Sequence, residues 1–193
     1  ILSFSQTAWF VLIITSTCLF LNPDKLTKAF KFIIAVIFLL SLSLPLVSKY
    51  LVQNYKFEES IQKRLELNIV SGALISQKPL LGVGLGNFIP ASSQVYRQKG
   101  GGLIKNVSWF LQPVHNIFIL VLVETGIVGI IIFYLVICKA ILNKGLALLL
   151  LSIVFSGMTD HYWLTLQQNQ LLLAIVIGII FSFDTITSWK KKS

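Results

Sequence analysis

Charged side chains are scarce in this sequence. Only 12% of its 193 residues are Asp, Glu, Lys or Arg, whereas 55% are hydrophobic. Soluble domains carry about a quarter charged residues, and the mean hydropathy here is +0.83. Because so few polar side chains cannot cover a soluble surface, lipid is expected to solvate much of the chain.

Cysteine, histidine and acidic residues are also few, and their scarcity excludes several kinds of site. Cys18 and Cys138 lie far apart in apolar runs, so neither a disulfide nor a metal site is expected. The sequence has no Ser-His-Asp order, paired carboxylates or acid–histidine metal spacing. We therefore expect no metal and no cofactor. The net charge of +9 is interpreted as a membrane-topology signal, and nucleic acid is not an expected partner.

The apolar runs predict an all-α integral membrane protein with about five transmembrane helices. One run, 117–142, is interrupted at Glu124-Thr125-Gly126. We interpret it as a short interfacial helix, from about 114 to 123, followed by a spanning helix at 127–142. No internal repeat is visible, and residues 1–193 are expected to form a single membrane domain, a fragment of a longer polytopic protein. The other four runs lie at 1–21, about 30–47, 145 to about 158, and 171–189.

Lysine placement orients these helices. Clusters of Lys follow the first, third and fifth runs, and the positive-inside rule places such clusters in the cytoplasm. The chain then starts outside and ends inside, with residues 48–112 and the turn at 160–170 on the extracytoplasmic side. The 48–112 loop holds eight basic and three acidic residues, a net charge of +5, which favours an anionic ligand.

Within this loop, the pattern predicts an amphipathic helix at 58–77 that Pro79 ends. Arg64 lies on or beside the predicted apolar stripe, with Asn68 one turn later. A planar guanidinium is suited to bidentate phosphate binding, although most loop arginines are simply solvated. The residues assigned to the stripe are Ile61, Leu65, Ile69 and Ala73.

Gly82, Gly84 and Gly86 have the spacing GxGxG. A nucleotide site of this type needs a preceding strand and a following helix within a βαβ unit, and this segment follows a helix and a proline. Close backbone packing against the membrane domain is therefore the favoured interpretation.

Four polar residues near the membrane are further site candidates. His115 stands where a helix enters the bilayer, with Pro113 near its first turn, and can exchange a proton near neutral pH. Glu124 lies in an apolar run and either has a function or caps the helix that starts near Gly126. Asp160 and His161 lie in the second outer turn, either facing the same cavity as His115 or forming a chance polar turn.

Three motifs resemble the bacterial O-antigen ligase and O-antigen polymerase superfamily. Arg64 precedes a segment, 79–88, that is similar to the family's PLxGxGxGNF. Residues 113–116, followed by 124–129, look like its HN and ExGxxG patterns. Residues 4–9 resemble an SRxAW motif that opens a span, but Gln6 stands where the family usually has arginine.

The resemblance implies a GT-C-like glycosyltransferase of the bacterial cytoplasmic (inner) membrane, with an extracytoplasmic active site. Its donor would be a glycan on undecaprenyl pyrophosphate, and its acceptor hydroxyl would belong to a glycan, a lipid or a protein. By motif, Arg64 and Gln6 would bind the pyrophosphate, with Arg97 or Lys99 replacing the missing cation. His115 would lie beside the reacting groups as general base or phosphate contact.

Three other functions remain open from the sequence. A protein O-oligosaccharyltransferase of the same superfamily would use the same site. A polyanion or polysaccharide transporter would use the basic loop as a gate, although transporters often show repeats. A non-catalytic assembly subunit is compatible with Gln6.

Overall fold

A computed structural model of the chain describes residues 32, 36, 39–40, 43, 45–51, 53–55, 59–98, 112–141 and 147–190. Within these residues the backbone forms helices and no strands, which confirms the predicted all-α class. The motif at 4–9, with Gln6, lies outside the described residues, as does Lys99. The helices are α1 (Glu59–Gln77), α2 (Phe88–Gln98), α3 (Ile117–Ile141), α4 (Ala147–Thr159), α5 (Tyr162–Thr165) and α6 (Gln167–Lys190).

Helix α3 provides the membrane-span candidate. Among the described residues, Ile117–Ala140 is the one helical segment long and apolar enough to cross a bilayer. A shorter apolar segment, Gln167–Ile179, opens α6. The number of five spans stays a prediction.

The chain divides into two compact units, one comprising Ile1–Ile37 and Tyr134–Ser193 and the other Phe38–Phe133. The second unit holds Arg64, the glycine-rich segment, His115 and Glu124, and therefore most of the predicted site.

Helix α1 begins and ends close to the predicted bounds, but the predicted apolar stripe is wrong. Ile61 is 46% exposed, whereas Leu67, Val70 and Leu74 are buried. Both stripes have helical spacing, so periodicity alone could not choose between them. The choice is made by packing, because α1 contacts α2 and the helical residues near Pro45.

Residues 48–51 and 53–54, beyond the predicted end of the second apolar run at 47, are helical. Ser48 is buried, and its Oγ accepts a hydrogen bond of 3.1 Å from Asn68 Nδ2 on α1. A Cβ added to Gly72 would lie 3.1 Å from Pro45 Cβ, so the two helices approach closely. The predicted start of the loop at Ser48 is therefore too early, since a partner on α1 lets this polar residue remain in a helix.

Helix α2 was not predicted. Three local signals indicate it: Asn87 precedes its first residue, Pro90 falls in its first turn, and Arg97 falls in its last turn. Phe88 and Val95 form its buried apolar face. The face is interrupted by polar residues, so apolar periodicity alone does not indicate this helix.

In the other unit, α4 matches its predicted run, whereas α6 begins at Gln167, before the predicted start at 171. The short helix α5 occupies the predicted outer turn. Trp163 Nε1 donates a 2.6 Å hydrogen bond to Ser156 Oγ, which fastens α5 to α4.

Candidate active site and glycine-rich loop

The predicted interruption of the third run is confirmed. Helix α3 has a non-helical residue at Gly126, with φ 67° and ψ −167°. Such a break deprives the carbonyls before it and the amides after it of their partners within the helix. In an apolar environment these groups must find other partners, because an unsatisfied buried backbone group is costly.

The glycine-rich loop, defined here as residues 79–87, supplies donors for the carbonyls before the break. Val83 N donates to the carbonyl oxygen of Val123 at 2.9 Å, and Gly84 N donates to that of Glu124 at 2.9 Å. The last turn of the first half of α3 is therefore capped by the loop backbone.

The same loop supplies acceptors for the amides after the break. Ile127 N donates to the carbonyl oxygen of Pro79 at 2.9 Å, and Val128 N donates to that of Leu80 at 3.3 Å. The loop thus bridges both sides of the break, and each segment satisfies the backbone of the other.

This backbone contact requires glycine at two positions. Gly82 and Gly126 both have φ of +67°, in the left-handed region where side chains are strained. A Cβ on Gly82 would lie 2.5 Å from the carbonyl oxygen of Val123, and one on Gly126 would lie 2.5 Å from the amide nitrogen of Leu81. The predicted close backbone packing of the GxGxG segment is confirmed.

Glu124 caps a helix, but a different one from that predicted. Its Oε1 accepts a 3.3 Å hydrogen bond from Phe88 N, the first amide of α2. The predicted cap of the helix after Gly126 is wrong, because the amides of Ile127 and Val128 bond to the loop. A carboxylate at the positive end of α2 is favourable, and the loop that binds the Glu124 carbonyl brings that end close.

His115 lies directly before Asn116, the residue that caps the N-terminus of α3. Asn116 Oδ1 accepts from Phe118 N at 2.9 Å and from Ile119 N at 3.2 Å. Helix α3 therefore begins at Ile117, and the predicted start near 114 is wrong, with Pro113 lying ahead of the cap. Apolar periodicity predicts that the helix begins where the apolar run begins. The side chain of Asn116 instead fixes the start, because it bonds to the amides of the first turn.

The surroundings restrict the position of His115. Val114 and Asn116, its neighbours in the chain, are 0% and 1% exposed. The His115 side chain is half-buried, and its Nδ1 is buried. His115 thus lies two residues before the first residue of α3, next to the positive end of a helix dipole, which is a setting where anions bind.

The two predicted phosphate-binding arginines lie on helices that pack together. Arg64 is exposed on α1, one turn before the buried Leu67, and Arg97 is exposed in the last turn of α2. Asn68, one turn after Arg64, fixes that part of α1 through Ser48. Convergence of these cations with His115 on one ligand stays a prediction.

Glu66 and Tyr96 were missed by the sequence interpretation. Burial raises the pKa of the Glu66 carboxyl, against the hydrogen bond from Gln62 and the charge of Lys63. Burial also raises the pKa of Tyr96 to about 12, and the negative charge of Glu66 adds to the shift. Glu66 lies on α1 and Tyr96 on α2, which pack together, and no spacing in the sequence relates the two residues.

Asp160 and His161 form an ordered hydrogen-bonded turn in the other unit. Asp160 Oδ1 accepts from His161 N at 2.8 Å, and His161 Nδ1 lies 2.7 Å from Thr165 Oγ1. The ring of Tyr162 meets the buried His161 ring edge-on, with centroids 4.9 Å apart. The hypothesis that this turn shares a cavity with His115 stays a prediction.

Comparison with known proteins identifies the family. A family model described as O-antigen ligase matches residues 1–134, which include Arg64, the glycine-rich loop, His115 and Glu124. Neither the curated proteins nor the solved structures gave a match. The family model covers well over half of the 193 residues, and the chain therefore belongs to the O-antigen ligase family.

Proposed function

We propose that this protein is a membrane glycosyltransferase that moves a glycan from undecaprenyl pyrophosphate to an acceptor hydroxyl, without a metal. The observation that carries the proposal is the family match over residues 1–134. The matched region contains both the helix with Arg64 and the His115-Asn116 pair. The acceptor belongs to lipid A core or a growing polysaccharide, as in a ligase or polymerase.

The reaction makes one bond and breaks another. The acceptor oxygen bonds to the anomeric carbon, while the bond from that carbon to the pyrophosphate oxygen breaks. The hydroxyl proton passes to a base, and the electron pair of the broken bond stays on the pyrophosphate. The catalytic need is therefore a stabilised leaving anion and a nearby proton acceptor.

Arg64 meets the first need in this proposal. A guanidinium binds two phosphate oxygens at once and keeps its charge at every relevant pH. One prearranged donor to a developing anion contributes about 2.7–4 kcal/mol to transition-state stabilisation. The exposure of Arg64 and Arg97 on adjoining helices supports a joint phosphate site, in which Arg97 compensates for the neutral Gln6.

His115 meets the second need, either as the base or as a further phosphate contact. The Asn116 cap fixes its backbone at the α3 N-terminus, and the positive end of that helix favours an anion close by. Glu124 acts as a positioning residue between α3 and α2. Asp160 and His161 are proposed as supporting polar residues.

The proposed location is the bacterial cytoplasmic membrane, crossed several times, with the site on the extracytoplasmic side. Support comes from α3 and from the lysine clusters, of which Lys139 lies in the last turn of α3. Partners are the carrier-linked glycan, the acceptor and membrane lipid.

The experiment is a transfer assay with purified full-length protein, carrier-linked glycan and separate glycan, lipid and protein acceptors. Arg64→Ala and His115→Ala are each expected to abolish transfer at unchanged membrane insertion. Gln77→Ala, exposed on α1, and Gln112→Ala, exposed ahead of His115, are matched controls expected to retain it. Arg64→Lys should lose most activity, because an ammonium lacks the bidentate fork.

Full transfer in both alanine variants would contradict the assignment of the site. Transfer that stops with EDTA and returns with a divalent cation would contradict the metal-free mechanism. Product on the protein acceptor alone would identify a protein O-oligosaccharyltransferase. Loop-dependent solute uptake without transfer would favour a transporter.

A further inference from the structure

We propose that the glycine-rich loop anchors this unit in the membrane, with Leu80, Leu81 and Leu85 among lipid acyl chains of the leaflet nearest His115. The inference rests on α3 spanning the bilayer and does not depend on the transfer reaction. It adds to the expectation that the 48–112 segment lies on the extracytoplasmic side, since one part of that segment would enter the leaflet.

The leucines are unusually exposed for apolar side chains in one short loop. Leu80, Leu81 and Leu85 are 64%, 74% and 79% exposed. Water is an unfavourable solvent for several large apolar side chains exposed in one short loop, and clusters of this kind mark interaction sites. The backbone of the loop is bonded to α3 on both sides of the break, which keeps the leucines next to that helix.

The position of the leucines beside α3 indicates that their partner is lipid. Upstream of the break, residues Ile117 and Leu120 of α3 are buried in protein, whereas Ile127 and Val128 are 44% and 48% exposed. These two residues open the uncharged run 127–138, and the carbonyl of Leu80 is bonded to the amide of Val128. The leucines therefore continue the apolar surface that α3 presents to lipid.

The backbone of the loop is compatible with hydrocarbon. Non-helical backbone is tolerated at membrane depth when protein groups satisfy its donors and acceptors. The amides of Val83 and Gly84 and the carbonyls of Pro79 and Leu80 all bond to α3.

Lys78 sets the depth of the anchor. It is exposed directly before the loop, and its flexible stem lets the ammonium reach lipid phosphates while the following leucines enter the acyl region. The arrangement, a cation beside exposed leucines, is that of a shallow interfacial anchor.

The test places one nitroxide label at a time in full-length protein whose native cysteines, Cys18 and Cys138 included, are replaced by serine. Labels go at Leu81→Cys and Leu85→Cys, with Ile131→Cys as the lipid reference and Gln94→Cys, exposed on α2, as the aqueous reference. Collision rates with oxygen and with a water-soluble nickel complex are measured in pure phospholipid vesicles without carrier.

For labels at 81 and 85, the ratio of the oxygen collision rate to the nickel-complex collision rate is expected to approach the ratio at 131. It should exceed the ratio at 94 several-fold. A ratio like that at 94 would place the loop in water and overturn the proposal. Low collision rates with both reagents would also overturn it, because protein would then cover the leucines. Labels at exposed positions avoid the folding defect that a core substitution brings.

Discussion

Replacing Gly126 by alanine is expected to disrupt the contact between α3 and the glycine-rich loop. Its φ of 67° and ψ of −167° belong to a region that is almost restricted to glycine and that costs other residues about 1–3 kcal/mol. The new Cβ would also collide with the carbonyl of Leu80 and lie 2.5 Å from the amide nitrogen of Leu81. Relief of that collision requires the loop to move away.

The magnitude follows from the bonds that would be lost. The amides of Ile127 and Val128 donate to the loop, and each buried group left unsatisfied costs about 1–3 kcal/mol. Together with the strain, Gly126→Ala should cost about 3–9 kcal/mol. The assay is thermal unfolding of the full-length protein in detergent, with hydrogen exchange of peptides containing residues 127 and 128.

Two glycines provide matched controls. Gly86 has φ of +70° with nothing within 4 Å of its added Cβ, so Gly86→Ala tests strain without collision and should cost about 1–2 kcal/mol. Gly178 lies in α6 with open space around it, and Gly178→Ala should be neutral or stabilising. If Gly126→Ala destabilised no more than Gly86→Ala, and amide exchange at 127 and 128 stayed slow, the importance of the contact between α3 and the glycine-rich loop would be refuted.

Three further predictions concern the neighbouring groups. Asn116→Ala should destabilise the protein by about 0.5–2 kcal/mol through loss of the α3 cap, and it should lower kcat. Asn116→Asp keeps the hydrogen-bond acceptor and should retain most of the stability. Equal thermal unfolding of the two variants would argue against the cap. Glu124→Ala should speed amide exchange at the start of α2. Glu124→Gln should keep exchange slow, since its amide oxygen can still accept a hydrogen bond from Phe88 N. Fast exchange in both variants would show that the charge of Glu124 matters and not the hydrogen bond. The pKa of Tyr96 is raised from 10.0 to about 12, so its contribution to stability is complete below pH 10 and is lost as the pH rises towards about 12. Glu66→Gln should lower that pKa, measured by ultraviolet titration with Tyr96→Phe as the reference. An unchanged titration would remove Glu66 as a cause of the shift.

Local sequence signals predicted part of the site correctly. Pro79 marks the end of α1, and Glu124-Thr125-Gly126 marks the break in α3, because proline and glycine act on their own backbone wherever the chain goes. Asn116 carried an equally local cap signal, which the apolar periodicity around it obscured. The family motifs at 79–88, 113–116 and 124–129 were recognisable, and the match over residues 1–134 confirms the family.

Other features depended on partners distant in sequence. The buried stripe of α1 was assigned to the wrong residues, because several faces of this helix carry apolar side chains and only packing against α2 and Pro45 selects one. The bond from Phe88 N to Glu124 joins residues 36 apart, so no window of the sequence contains both. A similar separation in sequence hides the need for glycine at Gly82, because an added Cβ there would collide with the backbone of Val123 and Glu124 in α3.

The sequence by itself determined the helical class, the apolar run that became α3, the position of its break and the family. These follow from composition, periodicity and backbone preference, which act over a few residues. Tertiary structure alone decided that the glycine-rich loop closes that break, that Glu124 caps α2 and that three leucines of the loop stay exposed beside α3. The physical reason is that a broken helix specifies which backbone groups need partners, whereas only the folded chain specifies which segment supplies them.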